Sequence, residues 1–338
     1  MKIGLFGFNT AQGLGYVNRD IAKHLGIDRW MVAKHPRFPT LPLLDSVDNC
    51  VINRRSIPHH SVRSWMSGLD VFIFVETINM AEHIPEIANK MGVKVVCVPM
   101  VECVNLGGPW AKYVDTWLAP TAFSYSQLQM LDCPGNVKYC PWPIDTGAFE
   151  YRQRRTCNRF VYAQGNGGRD DRKGGLIMAE VARMAPDLPI TIYSQVQKGY
   201  TSGANHIPTV WPDGVDFRGA ADSPGDIYRE GDVFVMPSRF EGLGVQLLEC
   251  QAAGMPLMCT DGPPMNEKNP WVRLPCTPNR LDLAHYRYAS WDVSPESVIK
   301  AMRKALGTDI SQASRDARDW VVAHRDWTTL APHIRGLL

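Results

Sequence analysis

The chain lacks several features that would assign it quickly. No apolar run in its 338 residues approaches the ~18 needed to span a bilayer. The first residues pass straight into an apolar strand, Lys2-Ile3-Gly4-Leu5-Phe6, with no signal-peptide pattern. Nine cysteines, an odd number, contain no Cys-x-x-Cys pair. This points away from a zinc site and from a disulfide framework. Cys97 and Cys259 sit inside apolar runs, where a thiol acts as a small hydrophobe. A cytoplasmic protein is therefore expected. Charge of one sign is also missing: 36 Lys and Arg against 34 Asp and Glu leave a net charge of +2. That balance alone argues for neither a nucleic-acid nor a membrane partner. There is no short-period repeat or low-complexity tract.

What is present is an alternation of short apolar runs with helix-length amphipathic segments, the pattern of a parallel sheet wrapped by helices. Strands are expected near residues 3–8, 30–33, 51–53, 71–76, 93–98 and 116–119, with helices near 15–25, 81–91 and 122–131. The proline-rich stretch 140–145 and the charge run Arg152-Gln153-Arg154-Arg155 form the best candidate linker. The alternation then restarts, with strands near 160–163, 190–193, 233–236 and 256–260 and helices near 175–184 and 244–253. Two helices separated near Gly307 close the chain. The expected fold is α/β, with two Rossmann-like, doubly wound domains facing across a cleft: residues 1–145, residues 146–310, and a C-terminal helical segment 311–338 packing back toward the first domain. In such sheets ligands sit beyond the carboxyl ends of the strands.

The chemistry concentrates in residues 232–249. A buried strand ends at Pro237, a turn carries Glu241, and Gly242 and Gly244 open a helix. Glycine lets backbone approach a ligand, and the free N–H groups at a helix start suit a diphosphate. Glu249 lies within a mostly apolar helix and wants a partner, which the paired hydroxyls of a ribose would supply. Alternatively, Gln246 and Glu249 form an ordinary polar helix face beside a tight turn.

Ser238 to Glu249, with two glutamates around Gly-x-Gly, resembles the signature of glycosyltransferase family 4, retaining enzymes of the two-domain GT-B architecture. Residues 215–219, 252–256, 260–262 and 139–145 resemble, in order, the segments that flank that signature. The resemblance implies a nucleotide-sugar donor, UDP-linked by preference, with no metal or other cofactor. It implies that Glu249 holds the donor ribose, that Glu241 faces the transferred sugar, and that the amides of Gly242, Leu243 and Gly244 meet the phosphates. It further implies a basic pair on the turn 165–174, where Lys173 matches the family lysine and Arg169 is taken as its partner, with Arg172 as alternate. Fixed cations there would stabilise charge building on the departing diphosphate. Outside the family context the same turn reads as a solvated charged loop.

The loop from Gly7 to Gly15 follows the first strand and resembles the family's glycine loop, making Gly13 and Gly15 donor-side candidates and Asn9 an acceptor-side one. A dinucleotide enzyme would place a third glycine where Asn18 stands and an acid further on as a ribose clamp, so a dehydrogenase is disfavoured. Many family members carry a histidine just after the strand near 93–98; here the segment reads Pro99-Met100-Val101-Glu102. Glu102 and Glu76, each beyond a strand end, are candidates for a polar role toward the acceptor, or are loop charges. Between residues 29 and 65 stand Arg29, Lys34, Arg37, Arg54, Arg55 and Arg63 against Asp45 and Asp48, interleaved with His35, His59, His60, Trp30 and Trp65. Basic residues among aromatics suit a phosphate-rich chain, so the expected acceptor is a hydroxymethylated pyrimidine in DNA, as in phage-type DNA modification. A cell-surface glycan or glycolipid is the alternative. A sugar-nucleotide epimerase and a non-catalytic nucleotide-sugar-binding protein are readings of another class.

Overall fold

The computed structural model describes residues 1–36, 38–53, 57–76, 78, 81–167, 170–196, 210–282 and 287–338. The chain divides into two compact units, Met1–Ile144 with Trp327–Leu338, and Asp145–Asp326.

Unit 1 is built on a seven-stranded parallel sheet. Its strands are β1 (Ile3–Gly7), β2 (Arg29–Ala33), β3 (Asp48–Ile52), β4 (Val71–Val75), β5 (Lys94–Val98), β6 (Thr116–Ala119) and β7 (Asn136–Tyr139). They lie in the order β3-β2-β1-β4-β5-β6-β7. All five residues of β4, Val-Phe-Ile-Phe-Val, are buried, as a central strand covered on both faces requires. The helices are α1 (Gly13–His24), α2 (His59–Met66), α3 (His83–Lys90), α4 (Ala122–Met130) and, from the end of the chain, α9 (Trp327–Leu337). Trp327 of α9 packs edge-on against Trp142 and stacks on His24, and its N–H bonds the carbonyl of Ile144.

Unit 2 repeats the design. Its six-stranded sheet runs β10-β9-β8-β11-β12-β13. The strands are β8 (Phe160–Gly165), β9 (Ile190–Ser194), β10 (Asp216–Gly219), β11 (Val233–Met236), β12 (Leu257–Thr260) and β13 (Val272–Leu274). Helices α5 (Gly175–Met184), α6 (Val245–Ala252), α7 (Pro295–Ala305) and α8 (Ser311–Arg325) belong to it. In both sheets the strand order reverses once, between β1 and β4 and between β8 and β11, the doubly wound arrangement in which a crevice opens at the reversal.

Three features depart from the sequence reading. First, β14 (Cys276–Asp282) and β15 (Arg287–Val293) pair as an antiparallel hairpin; its first strand carries Pro278, Asn279 and Arg280, which do not read as a strand. Second, one member of the charge run at 152–155, Arg154, is buried in unit 2, while Arg152, Gln153 and Arg155 are exposed. Arg154 is only 2% exposed, its guanidinium donating to the carbonyls of Arg152, Tyr228 and Gly231, while burial lowers its pKa to about 10. Third, the C-terminal division falls between Asp326 and Trp327 rather than at 310, because α8 packs along α6 and only α9 joins unit 1.

Candidate functional site

In unit 2 the reversal point lies between β8 and β11, and the loops that leave these strands converge. The turn after β8 ends at Gly174, whose φ is +72°. A Cβ there would collide with the carbonyl oxygen of Pro237, so glycine alone lets this turn touch the loop after β11. The Arg239 N–H donates to the Arg172 carbonyl at 2.8 Å, and its guanidinium to the Asp170 carbonyl at 2.7 Å. Asp171 caps the start of α5, accepting the Leu176 N–H at 3.1 and 3.2 Å. Burial nevertheless raises the Asp171 carboxyl to about 6, outweighing those amides.

This stitching brings Lys173 to Glu241. Nζ of Lys173 stands 2.6 Å from one carboxylate oxygen, and Nη1 of Arg172 stands 3.2 Å from the other. Ser238 donates to the same carboxylate at 3.0 Å. Glu241 is 2% exposed, so burial opposes its charge, yet the two cations and the hydroxyl hold its pKa below the ordinary carboxylate value. Burial pulls Lys173 down from the usual lysine range, and Glu241 partly offsets it. Two tyrosines fix the backbone: Tyr162 donates to the Lys173 carbonyl at 3.2 Å, and Tyr288, from the hairpin, to the Glu241 carbonyl at 3.1 Å.

Immediately beyond, Gly242, Leu243 and Gly244 lead into α6, with Gly244 in the left-handed region at φ +63°. All three residues are buried, and among the described residues their N–H groups have no hydrogen-bond acceptor. Buried donors without acceptors are costly unless a ligand fills them, and an anion at a helix start does so. On α6, half-buried Glu249 accepts a 2.8 Å hydrogen bond from Tyr228 Oη. Burial raises the Glu249 carboxyl to about 7.

Lys173, Glu241, Glu249 and the Gly242–Gly244 backbone, named from sequence, thus fall in one region of unit 2. Arg169 lies outside the described residues, and Arg172, the alternate, occupies the cationic position beside Glu241. Ser238, Tyr162, Tyr228 and Tyr288 were not singled out from sequence. Ser238 begins the motif and was recoverable; the tyrosines come from distant segments with no local signal.

The unit 1 candidates divide differently. Gly15 is required by its surroundings, since a Cβ would collide with the backbone of Thr10, whereas a Cβ on Gly13 would meet nothing. Asn9 is fully buried, and its amide nitrogen donates to the carbonyls of Leu41 and Pro42 at 3.0 and 3.3 Å. Its amide nitrogen is thus used in holding that loop. Glu76 ends β4 with φ at +70°, a conformation uncommon for a non-glycine residue, and its N–H bonds the Val98 carbonyl at 2.8 Å. Glu102 lies half-buried in the turn after β5. The aromatics of the basic stretch are core residues: Trp30 is fully buried, and half-buried Trp65 packs edge-on against Phe72. Arg29 donates to the carbonyls of Trp65 and Ser67 at 2.7 and 2.8 Å, and Arg37, Arg54 and Arg55 lie outside the described residues.

Residues 178–274, which contain the Glu241 loop and α6, match the family model described as glycosyl transferases group 1. The match covers part of unit 2, and the fold of the chain is that of GT-B glycosyltransferase structures. Sucrose-phosphate synthase from Thermosynechococcus elongatus has the same fold, with a TM-score of 0.69 at 13% identity over 100% of this chain and 98% of that one. Anabaena Alr3699/HepE, solved in complex with UDP and glucose, superposes with a TM-score of 0.67 at 11% identity over 99% of both chains. A trehalose-6-phosphate synthase structure gives a TM-score of 0.65 at 11% identity over 100% of this chain and 99% of that one. No curated protein is a significant sequence match. Among the described residues no helix is long and apolar enough to cross a membrane.

Proposed function

We propose that the transferase moves a sugar from a nucleoside-diphosphate donor, UDP-linked by preference, to a hydroxyl acceptor with retention at the anomeric carbon. One observation carries this reading: two cations, Lys173 and Arg172, converge on Glu241 directly beside three buried backbone amides without acceptors. The amides of Gly242, Leu243 and Gly244 receive the diphosphate, and Glu249 accepts hydrogen bonds from the ribose hydroxyls. As the bond from the sugar to the diphosphate breaks, Lys173 and Arg172 meet the charge growing on the leaving phosphate, the task a metal ion performs in other transferases. Glu241 orients both cations and faces the transferred sugar. The acceptor oxygen attacks from the face the diphosphate leaves, so no covalent intermediate is invoked.

For the acceptor, Trp30 is buried and half-buried Trp65 packs on Phe72, which leaves a DNA reading with less aromatic surface to stack on. A sugar or glycan hydroxyl is the acceptor we favour. The test measures UDP release from a panel of UDP-sugars with simple sugars, hydroxymethylated DNA, plain DNA and no acceptor side by side, followed by NMR assignment of the product anomer. Release that depends on a sugar acceptor, with the donor's configuration kept, supports the proposal. An inverted product refutes retention, release only with hydroxymethylated DNA reinstates the nucleic-acid reading, and epimerised donor without transfer places the chain in another class.

A further inference from the structure

The hairpin β14–β15 forms a two-stranded sheet of its own, yet it is fastened to the loops that leave β11 and β12. Tyr288 and Asp292 stand four residues apart on β15 and so share one face, with Trp291 on the other. On the first face, Tyr288 Oη donates to the Glu241 carbonyl at 3.1 Å, and its ring packs edge-on against Phe240. Asp292 accepts from Nε of Arg239 at 2.8 Å, and Asn279 of the paired strand donates to its other carboxylate oxygen at 2.6 Å. On the second face, Trp291 covers Gly262, where a Cβ would collide with its ring, and donates to the Pro263 carbonyl at 2.8 Å. The Trp291 backbone N–H adds a bond to the Arg239 carbonyl at 2.9 Å.

Arg239 is where these contacts meet the cationic turn. Its backbone N–H holds the Arg172 carbonyl, its Nη1 holds the Asp170 carbonyl, and Asp292 holds its Nε. One residue thus joins the hairpin, the Glu241 loop and the turn after β8. That turn needs holding. Asp170 and Asp171 both lie in the left-handed region at φ +52°, a conformation that costs energy for a side chain with a Cβ and lasts only where the surroundings impose it. Arg172 and Lys173, the two cations on Glu241, follow at once.

We infer that Arg239 and Asp292 are positioning residues for sugar transfer. The hairpin fixes the Arg239 guanidinium, and the guanidinium fixes the strained turn so that Lys173 and Arg172 stand ready for the leaving phosphate. This rests on the transferase reading above. The planar fork of Arg239 serves two partners at once, Asp292 and Asp170, which a single lysine ammonium does not reproduce. The Arg239 and Asp292 side chains are 18% and 41% exposed, so breaking their ion pair costs little stability. Its effect belongs in turnover.

Steady-state UDP release and amide hydrogen exchange test this together. Asp292→Ala is expected to lower kcat by about ten- to a hundredfold, the scale of a small misplacement in a catalytic array, with donor KM within about twofold of wild type. Its Tm should stay within about 4 °C of wild type. Asp292→Asn, which keeps an acceptor oxygen in the same place, should recover most of the lost turnover. Arg239→Lys should behave like Asp292→Ala. The double variant should be no slower than either single one, because both changes break one chain of contacts. Exchange in the segment 170–176 should quicken in Asp292→Ala while β8 and β11 keep their protection. Wild-type kcat in folded Asp292→Ala or Arg239→Lys, additive losses in the double variant, or unchanged exchange overturns the inference. If wild type releases UDP from no donor, the transferase reading falls instead, and exchange alone decides whether the hairpin holds the turn.

Discussion

Lys173 and Glu241 meet at 2.6 Å across 68 residues of sequence, each buried and each depending on the other for its charge. Removing Glu241 leaves the Lys173 ammonium buried without its partner, a loss of roughly 3–5 kcal/mol, whereas Glu241 without Lys173 keeps Arg172 and loses less. In the proposed reaction the same ammonium meets the charge on the leaving diphosphate. The pair therefore links the stability of unit 2 to its chemistry.

Lys173→Ala is expected to lower kcat by roughly a hundredfold or more, the scale of one lost charge-stabilising donor. Thermal melting should show the loss of one of the two cations on Glu241 as a lowered Tm. A variant with near-normal turnover would remove Lys173 from the mechanism.

Glu249→Gln should separate binding from stability. The folded carboxyl titrates at about 7, above the ordinary value of 4.5, because burial disfavours the charged form. Between those values the folded chain holds a proton that the unfolded chain releases, so stability falls as pH rises through 7. The glutamine variant escapes this loss. Its Tm relative to wild type should be close to zero difference at pH 5 and higher by several degrees at pH 8, while its KM for donor rises. An equal Tm difference at both values would contradict the buried-acid assignment.

Tyr228→Phe removes the hydrogen bond that favours ionised Glu249. The acid limb of the kcat/KM profile for donor should then move to higher pH, with kcat at saturating donor little changed. A profile superposable on wild type would mean that Glu249 does not bind donor in its charged form.

Gly174→Ala tests the stitching of the two loops. The position has φ of +72° and no room for a Cβ against Pro237. A loss of about 1–3 kcal/mol in denaturant unfolding is expected. Activity should fall further than stability alone explains, because the Lys173 turn is pushed from Glu241. Wild-type stability would show that the backbone relaxes freely there.

Most of the fold was readable because a doubly wound sheet announces itself locally. The fully apolar Val71–Val75 run, and the amphipathic segment at Gly175–Met184, carry their periodicity in a few consecutive residues. The Glu241 motif was readable because strand, turn and helix start follow one another in sequence. The Tyr228–Glu249 and Tyr288–Glu241 bonds were not, since each joins segments that only the closed sheet brings together. The burial of Arg154 was not readable either, because carbonyls that satisfy a guanidinium leave no trace in side-chain identity. Trp30 and Trp65 show the limit of composition: aromatics beside basic residues suggested a stacking face, yet Trp30 is fully buried and half-buried Trp65 packs edge-on against Phe72.

The placement of α9 bears on how this chain is made. Trp327, which rests on Trp142 and His24, lies beyond every residue of unit 2. During synthesis, the first unit to emerge from the ribosome must wait with its Trp142 edge uncovered until the second unit has been translated in full. Stop codons near the 3′ end would spare the Lys173–Glu241 region yet leave the earlier-made half unfinished.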